Sequence, residues 1–204
     1  MIKFVYFDVG GVVIRDYTGT GNWDILKREL GIMPERFGEF DRFWAKYNRE
    51  ICLTRPVDAL IPLIESQYQV EIPRDYSLLK DGFVSRFEKN PLIWPVIDQI
   101  RQKAKIGLLT DMYPGMFTEI KKRNLLPKIS WDVILDSSKA GFKKPDRELF
   151  ELAEKKSSFS GKQILFVENT RANIDAASQF NWQTYFYDST SPEKFSAGLK
   201  KLFV

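Results

Sequence analysis

Apolar and polar positions change rhythm twice along this chain, and the changes mark out its architecture. Residues 2–7, IKFVYF, are rich in β-branched and aromatic types and alternate weakly, which reads as a strand. From Trp23 to Arg86 the spacing becomes helical, with breaks at Gly31, Pro34, Pro56 and Pro73. Trp23, Leu26 and Leu30, then Phe37, Phe40, Phe43, Trp44 and Tyr47, then Leu60, Leu63, Ile64 and Tyr68 make the apolar faces of a small helical bundle. After Asn90-Pro91 the chain alternates again: helix 93–103, strand 105–110, helix 116–124, strand 133–135, helix 146–155, strand 163–167, helix 172–180 and strand 184–187. Short apolar strands separated by amphipathic helices predict a parallel sheet covered on both faces. The first strand then belongs to a sheet whose other strands follow a helical insertion of roughly 70 residues, long enough to point to function.

In open α/β sheets ligands bind outside the carboxyl ends of the strands. Three polar signals fall there: Asp8, Thr110 and Glu168-Asn169. Asp8 ends the first apolar run and is followed by Gly10-Gly11, a turn that lets backbone amides approach an anion closely. A carboxylate in that position can act as a nucleophile or a hard metal ligand, and it can equally cap a turn. Thr110 closes the strand IGLLT, where its hydroxyl and the next N–H could bind a phosphoryl oxygen or cap the following helix. Lys144 precedes a proline that starts a helix, in GFKKPDRELF, and could neutralise a nucleophile and an anion together or stand solvated in a loop.

Composition narrows the chemistry. The 204 residues hold no histidine, which removes Ser/His/Asp and Cys/His catalysis and every histidine metal site. One cysteine, Cys52, excludes an intrachain disulfide and a cysteine metal cluster, as in a reducing compartment. The 44% hydrophobic and 28% charged fractions are those of an ordinary globular protein. No apolar run approaches the roughly 18 residues of a membrane span, and MIKFVYFD lacks the marks of a secretory signal, so a cytoplasmic protein without membrane contact is expected. The net charge of +4 is spread among interspersed acids, without an arginine-rich, aromatic-interleaved run, which argues against nucleic acid and for small anionic partners.

Together, the stretches FDVGGVV, LLTD, KKPDRELF and FVENTRANIDAA resemble the haloacid dehalogenase superfamily, in particular members with a helical cap inserted after the first strand. The resemblance spans nearly the whole chain. It implies a three-layer, Rossmann-like α/β core over residues 1–15 and 88–204 and a helical cap over 16–87. Asp8 would attack phosphorus to form an aspartyl-phosphate, Thr110 would hold the phosphoryl oxygens, and Lys144 would orient Asp8 and offset its charge. Magnesium would be held by Asp8, the carbonyl of Gly10 and the fourth stretch, where either Glu168 ligates directly or Asn169 supplies a neutral oxygen. Gly10, Gly11, Asp111 and Arg15 are the expected substrate contacts, with Arg42, Lys46 and Arg49 further candidates on the cap.

Two departures from the family pattern stand out. Gly10 occupies the position of the usual second aspartate, the general acid–base, whose loss costs about 10²–10⁴ in rate. Asp16 or Tyr17 could reach back to replace it. Glu168-Asn169 replaces two adjacent acids, which predicts a weak magnesium site. The resulting expectation is a magnesium-dependent phosphatase of small phosphorylated metabolites. The alternatives are a metal-independent dehalogenase in which Asp8 attacks carbon, and a catalytically impaired protein that binds a partner through its cap. The sequence is silent on oligomeric state.

Overall fold

A strand can be apolar on both faces where helices cover it on either side. The computed structural model describes residues 1–203. The chain runs through β1 (Phe4–Phe7), β2 (Ile14–Arg15), α1 (Asn22–Glu29), α2 (Phe37–Leu53), α3 (Ile61–Tyr68), a π-helical turn (Leu78–Phe83) and β3 (Glu88–Lys89). It continues with α4 (Trp94–Ile100), β4 (Lys105–Thr110), α5 (Met116–Lys122), β5 (Val133–Asp136), α6 (Ser137–Ala140), α7 (Arg147–Ser157), β6 (Ile164–Glu168), α8 (Arg171–Gln179), β7 (Gln183–Phe186) and α9 (Pro192–Lys201). The main sheet has the order β5-β4-β1-β6-β7, with every neighbouring pair parallel. This is a Rossmann-like α/β fold, as the alternation of strands and helices predicts.

The side-chain alternation of β1 decides what each layer contains. Val5 and Phe7 point into one core with Ile106, Leu108, Leu165 and Val167, under α4, α5 and α9. Phe4 and Tyr6 point into the other with Phe150, Phe166, Ala177 and Trp182, under α7 and α8. The first core runs on without a break into the helical segment, through Leu26, Phe40, Trp44, Leu60, Ile64 and Phe83. The chain leaves for that segment and returns from it along a two-stranded antiparallel ribbon, with Ile14 opposite Lys89 and Arg15 opposite Glu88.

Two features lie outside the expected alternation. The ribbon strands β2 and β3 have two residues each, too short to show a period. Helix α9 follows β7 and opens with Ser191-Pro192-Glu193, a proline at the first helical turn with an acid beside it, which is a legible start signal. The expected helix 93–103 ends at Ile100, whose carbonyl accepts the N–H groups of both Lys103 and Ala104 in a closing turn. No helix among the described residues is long and apolar enough to cross a membrane.

A glycine inside a central strand usually weakens it. Gly107 in β4 has a packing reason: a Cβ there would stand 2.9 Å from ring carbons of Phe4 and Tyr6 and from the carbonyl oxygen of Val133. Gly107→Ala is therefore expected to lower stability by about 1–3 kcal/mol through overpacking. Urea denaturation reads this directly, and an unchanged midpoint would show that the rings give way freely.

Candidate active site

Because β1 lies between β4 and β6, their carboxyl ends stand side by side. Asp8 follows the last residue of β1, Thr110 ends β4 and Glu168 ends β6, so three residues far apart in sequence meet at one edge. Lys144 arrives from the loop before α7. Its backbone N–H donates to Asp111 Oδ1 at 2.9 Å, which ties that loop to the end of β4. Lys144 Nζ then stands 2.9 Å from Asp8 Oδ1 and 2.7 Å from Glu168 Oε2. All three charged groups are buried.

The hydrogen bonds divide the labour between the two carboxylates. Asp8 Oδ1 accepts from the Val9 N–H at 2.8 Å as well as from Lys144, while Oδ2 has no hydrogen-bond partner among the described residues. Glu168 is engaged on both oxygens. Oε1 accepts the N–H groups of Asn169 (2.8 Å) and Thr170 (2.9 Å) at the start of α8, and Oε2 accepts from Lys144 and from Asn173 Nδ2 at 3.1 Å. Of the two options for the fourth stretch, Glu168 thus has both oxygens engaged by donors, Lys144 among them, while the Asn169 side chain lies beside the Gly10 carbonyl.

Burial, then the charge of Glu168, pushes the Asp8 carboxyl up from its ordinary value, and Lys144 offsets this in part. Burial works against charge on Lys144, yet Asp8, Glu168 and Asp111 outweigh it and hold the ammonium well above its ordinary range. Burial also raises Asp111, against the pull of Lys144 and its backbone N–H.

The turn after Asp8 is shaped by two close approaches. Gly11 has φ of +72°, and a Cβ on it would fall 2.0 Å from Asn169 Nδ2. That amide donates to the Gly10 carbonyl at 3.1 Å. A Cβ on Gly10 would fall 2.4 Å from Asp16 Oδ2 and 4.0 Å from Asp16 Cβ. The Asp16 carboxylate therefore fills the space that a side chain at position 10 would take. Its other oxygen accepts the Thr18 N–H at 2.8 Å, and burial raises its carboxyl from the ordinary value. The loop carrying these residues is pinned from the far side. Asn90 Nδ2 donates to the Val12 carbonyl at 2.7 Å and Trp94 Nε1 donates to the Val13 carbonyl at 2.8 Å.

A cavity of about 210 Å³ opens over Asp8 and is lined by Gly10, Asp16, Thr110, Lys144 and Asn169 among others. The Thr110 hydroxyl makes no hydrogen bond within the protein among the described residues, so it is free for a ligand. An adjoining cavity of about 370 Å³ reaches under the helical segment. The expected cap cations stand elsewhere. Arg15 is exposed on β2 and lines a separate cavity with Ser189 and Thr190, and Arg49 is paired with Asp146 at 2.8 Å. Arg42 and Lys46 are exposed and line neither cavity. The geometry adds Asn173, Asn48 and Lys143, which the sequence reading passed over. Asn173 had one visible signal, a polar residue on a helix face that is otherwise apolar with Ile174 and Ala177. Among the described residues no group of three or more acidic, histidine or cysteine side chains forms a ready metal cage.

A family model described as haloacid dehalogenase-like hydrolase matches residues 2–181. No curated protein matches the chain. Solved structures share the fold at low identity. A predicted HAD-like family hydrolase from Porphyromonas gingivalis is 18% identical with a TM-score of 0.77, covering 99% of this chain and 98% of that one. A HAD family enzyme from Bacteroides thetaiotaomicron, an aspartate-to-alanine mutant in complex with magnesium and inorganic phosphate, is 16% identical with a TM-score of 0.72, covering 93% and 95%. The L-2-haloacid dehalogenase from Xanthobacter autotrophicus is 16% identical with a TM-score of 0.64, covering 90% and 76%.

Removing one partner from a buried ionic cluster leaves uncompensated charge in a low dielectric. Lys144→Met, which strands Asp8 and Glu168 together, is expected to cost about 3–5 kcal/mol. Adding Glu168→Gln to that variant should recover part of the loss, because one stranded charge disappears. Denaturant midpoints of the single and double variants test this; two losses that simply add would show that the groups are not coupled.

Proposed function

The chain belongs to the haloacid dehalogenase-like hydrolases, and on that premise we propose that it cleaves phosphate monoesters, with Asp8 as nucleophile and Asp16 as the proton-transfer group. The observation that carries this reading is the Asp16 carboxylate standing in the side-chain space of Gly10, on the wall of the cavity that Asp8 faces. A halide departs as a stable anion and needs no proton. An alkoxide leaving phosphorus does need one, and a carboxyl whose hold on its proton is strengthened by burial is suited to give it. A second acid lining the same cavity as the nucleophile thus supports ester cleavage over carbon–halogen cleavage.

In the first step Asp8 Oδ2 attacks phosphorus, the bond from phosphorus to the ester oxygen breaks, and the departing alcohol takes the proton of Asp16. In the second, water attacks the aspartyl-phosphate, Asp16 accepts its proton, and the Asp8–phosphorus bond breaks to release inorganic phosphate. Thr110 donates its hydroxyl to a phosphoryl oxygen. Lys144 offsets the charge of Asp8 and the incoming phosphoryl group, with Glu168 and Asp111 acting through it as positioning residues. In this reading residues 16–87 are the cap over a core of 1–15 and 88–204, a division supported by the ribbon at which the chain leaves and returns.

The donors present fit magnesium as a one-carboxylate site. Mg²⁺ takes hard oxygens, keeps several waters, and is commonly held by one or two carboxylates plus a substrate phosphate. Asp8, the Gly10 carbonyl and the Asn169 side chain would hold it. Half a turn of the Asn169 amide presents its oxygen in place of its NH₂ beside Gly10. When bound, the ion neutralises charge on the phosphoryl oxygens as a Lewis acid. With a single carboxylate its affinity should be low.

A panel of phosphate monoesters assayed with and without magnesium should show phosphate release that vanishes in Asp8→Asn. Asp16→Ala should lower kcat by about 10²–10⁴, most for esters of poorly leaving alcohols. Because Asp16→Ala clears the space over Gly10, adding Gly10→Asp to it should restore part of the rate, whereas Gly10→Asp alone clashes with Asp16. Halide release from a 2-haloacid without metal, or a double variant no faster than Asp16→Ala, would replace the reading.

A further inference from the structure

The cavity under the helical segment meets the one over Asp8 at Asp16, Phe87, Asp111 and Met116. An ester whose phosphoryl group sits at Asp8 therefore projects its alcohol into a space of about 370 Å³, within the range of small-ligand sites. Half of the residues that line that space are aromatic: Tyr17, Trp23, Trp44, Phe83, Phe87 and Tyr113. The rings brace one another. Trp23 and Trp44 meet edge to face at 5.1 Å, Phe83 and Tyr113 edge to face at 5.2 Å, and Tyr17 and Phe83 lie 5.1 Å apart.

Most of their polar tips are already engaged. Trp23 Nε1 donates to Asp41 at 2.7 Å, Trp44 Nε1 donates to the Tyr113 hydroxyl at 3.3 Å, and the Tyr17 hydroxyl donates to the Gly82 carbonyl. The cation at the rim, Lys143, donates to Asn48 Oδ1 at 2.8 Å and stands 3.7 Å from Asp111. The walls thus offer mainly ring faces and edges, and the polar groups, Asp16, Asp111, Asn48 and Lys143, form a separate set that is acidic or already paired. A polyol placed here would set several of its hydroxyls against ring faces, where their water is lost without replacement, and a second phosphate would meet Asp16 and Asp111 as well as Lys143. A flat ring has no such cost and gains stacking and edge contacts on several sides.

Resting on the reading of this chain as a phosphatase, we infer that the cavity is the leaving-group subsite and that the substrate is the phosphate monoester of an aromatic alcohol, with one or two fused rings. The rings select the alcohol while Asp8, Thr110 and Lys144 handle the phosphate.

The test compares benzyl phosphate with glycerol 3-phosphate and glucose 6-phosphate, all esters of primary alcohols, so that leaving-group reactivity is closely matched. Benzyl phosphate should be favoured in kcat/KM by at least about tenfold, the scale on which apolar pockets discriminate. Phe87→Leu, which keeps an apolar residue and removes a ring, should shrink that preference several-fold; Trp44→Leu serves if the first variant does not fold. Separately, 4-nitrobenzyl alcohol should quench tryptophan fluorescence saturably through Trp23 and Trp44. Equal turnover of the three esters, or quenching that does not saturate, overturns the aromatic subsite while phosphatase activity stands. Saturable quenching in a protein that cleaves no phosphate ester keeps the subsite and removes the phosphatase reading instead.

Discussion

One buried ammonium between two carboxylates sets the geometry of this molecule's active edge. Lys144 lies 2.9 Å from Asp8 and 2.7 Å from Glu168, and water reaches none of the three freely. Such a cluster is stable where every remaining lone pair and proton has a partner. The fold supplies those partners from four places: the Val9 N–H, the first amides of the segment leading into α8, Asn173, and Asp111 on the backbone of Lys144 itself. Nearly everything is spent on holding the ions. Asp8 Oδ2 is left over, on the residue over which the cavity opens.

The second constraint is one of space. Position 10 and Asp16 compete for the same few cubic ångströms, since a Cβ at 10 would lie 2.4 Å from Asp16 Oδ2. A side chain at 10 would push the Asp16 carboxylate aside, and a chain with glycine there can lend the space to a carboxylate six residues on. The arrangement is held from both ends. Thr18 fixes one oxygen of Asp16, and Asn90 and Trp94 fasten the loop between Asp8 and Asp16 to the return limb of the helical segment. Glycine at position 11 does similar work for Asn169, whose amide passes where a Cβ would be.

The alternation of strands and helices after Asn90 was legible because it rests on local periodicity, and the convergence of Asp8, Thr110 and Glu168 was legible because parallel topology brings strand ends together whatever the loops do, while Lys144, on a loop, was placed only by the family resemblance. The details of contact were not legible. Whether Glu168 faces a cation or anchors Lys144 depends on how an ammonium 24 residues away is seated, and no spacing encodes that. Arg15 has the charge of a substrate contact, yet a two-residue ribbon turns it to a different cavity. The reach of Asp16 was suggested by proximity in sequence; its fit over Gly10 follows from the loop conformation, which the far-side fastenings determine.

The aromatic content of the helical segment has a double physical role. Trp23, Phe40, Trp44 and Phe83 pack on one another with centroids between 5.1 and 6.4 Å, in the same apolar cluster as the sheet residues beneath β1. Rings that belong to a core are held in fixed rotamers by their neighbours. The faces they turn to the cavity are therefore already in position before any ligand arrives, and binding need not order them. A long insertion between the strand that leads to Asp8 and the rest of the sheet would otherwise cost conformational freedom with little return. Here its packing onto the sheet stabilises it, and the wall of the cavity is a face of that same core.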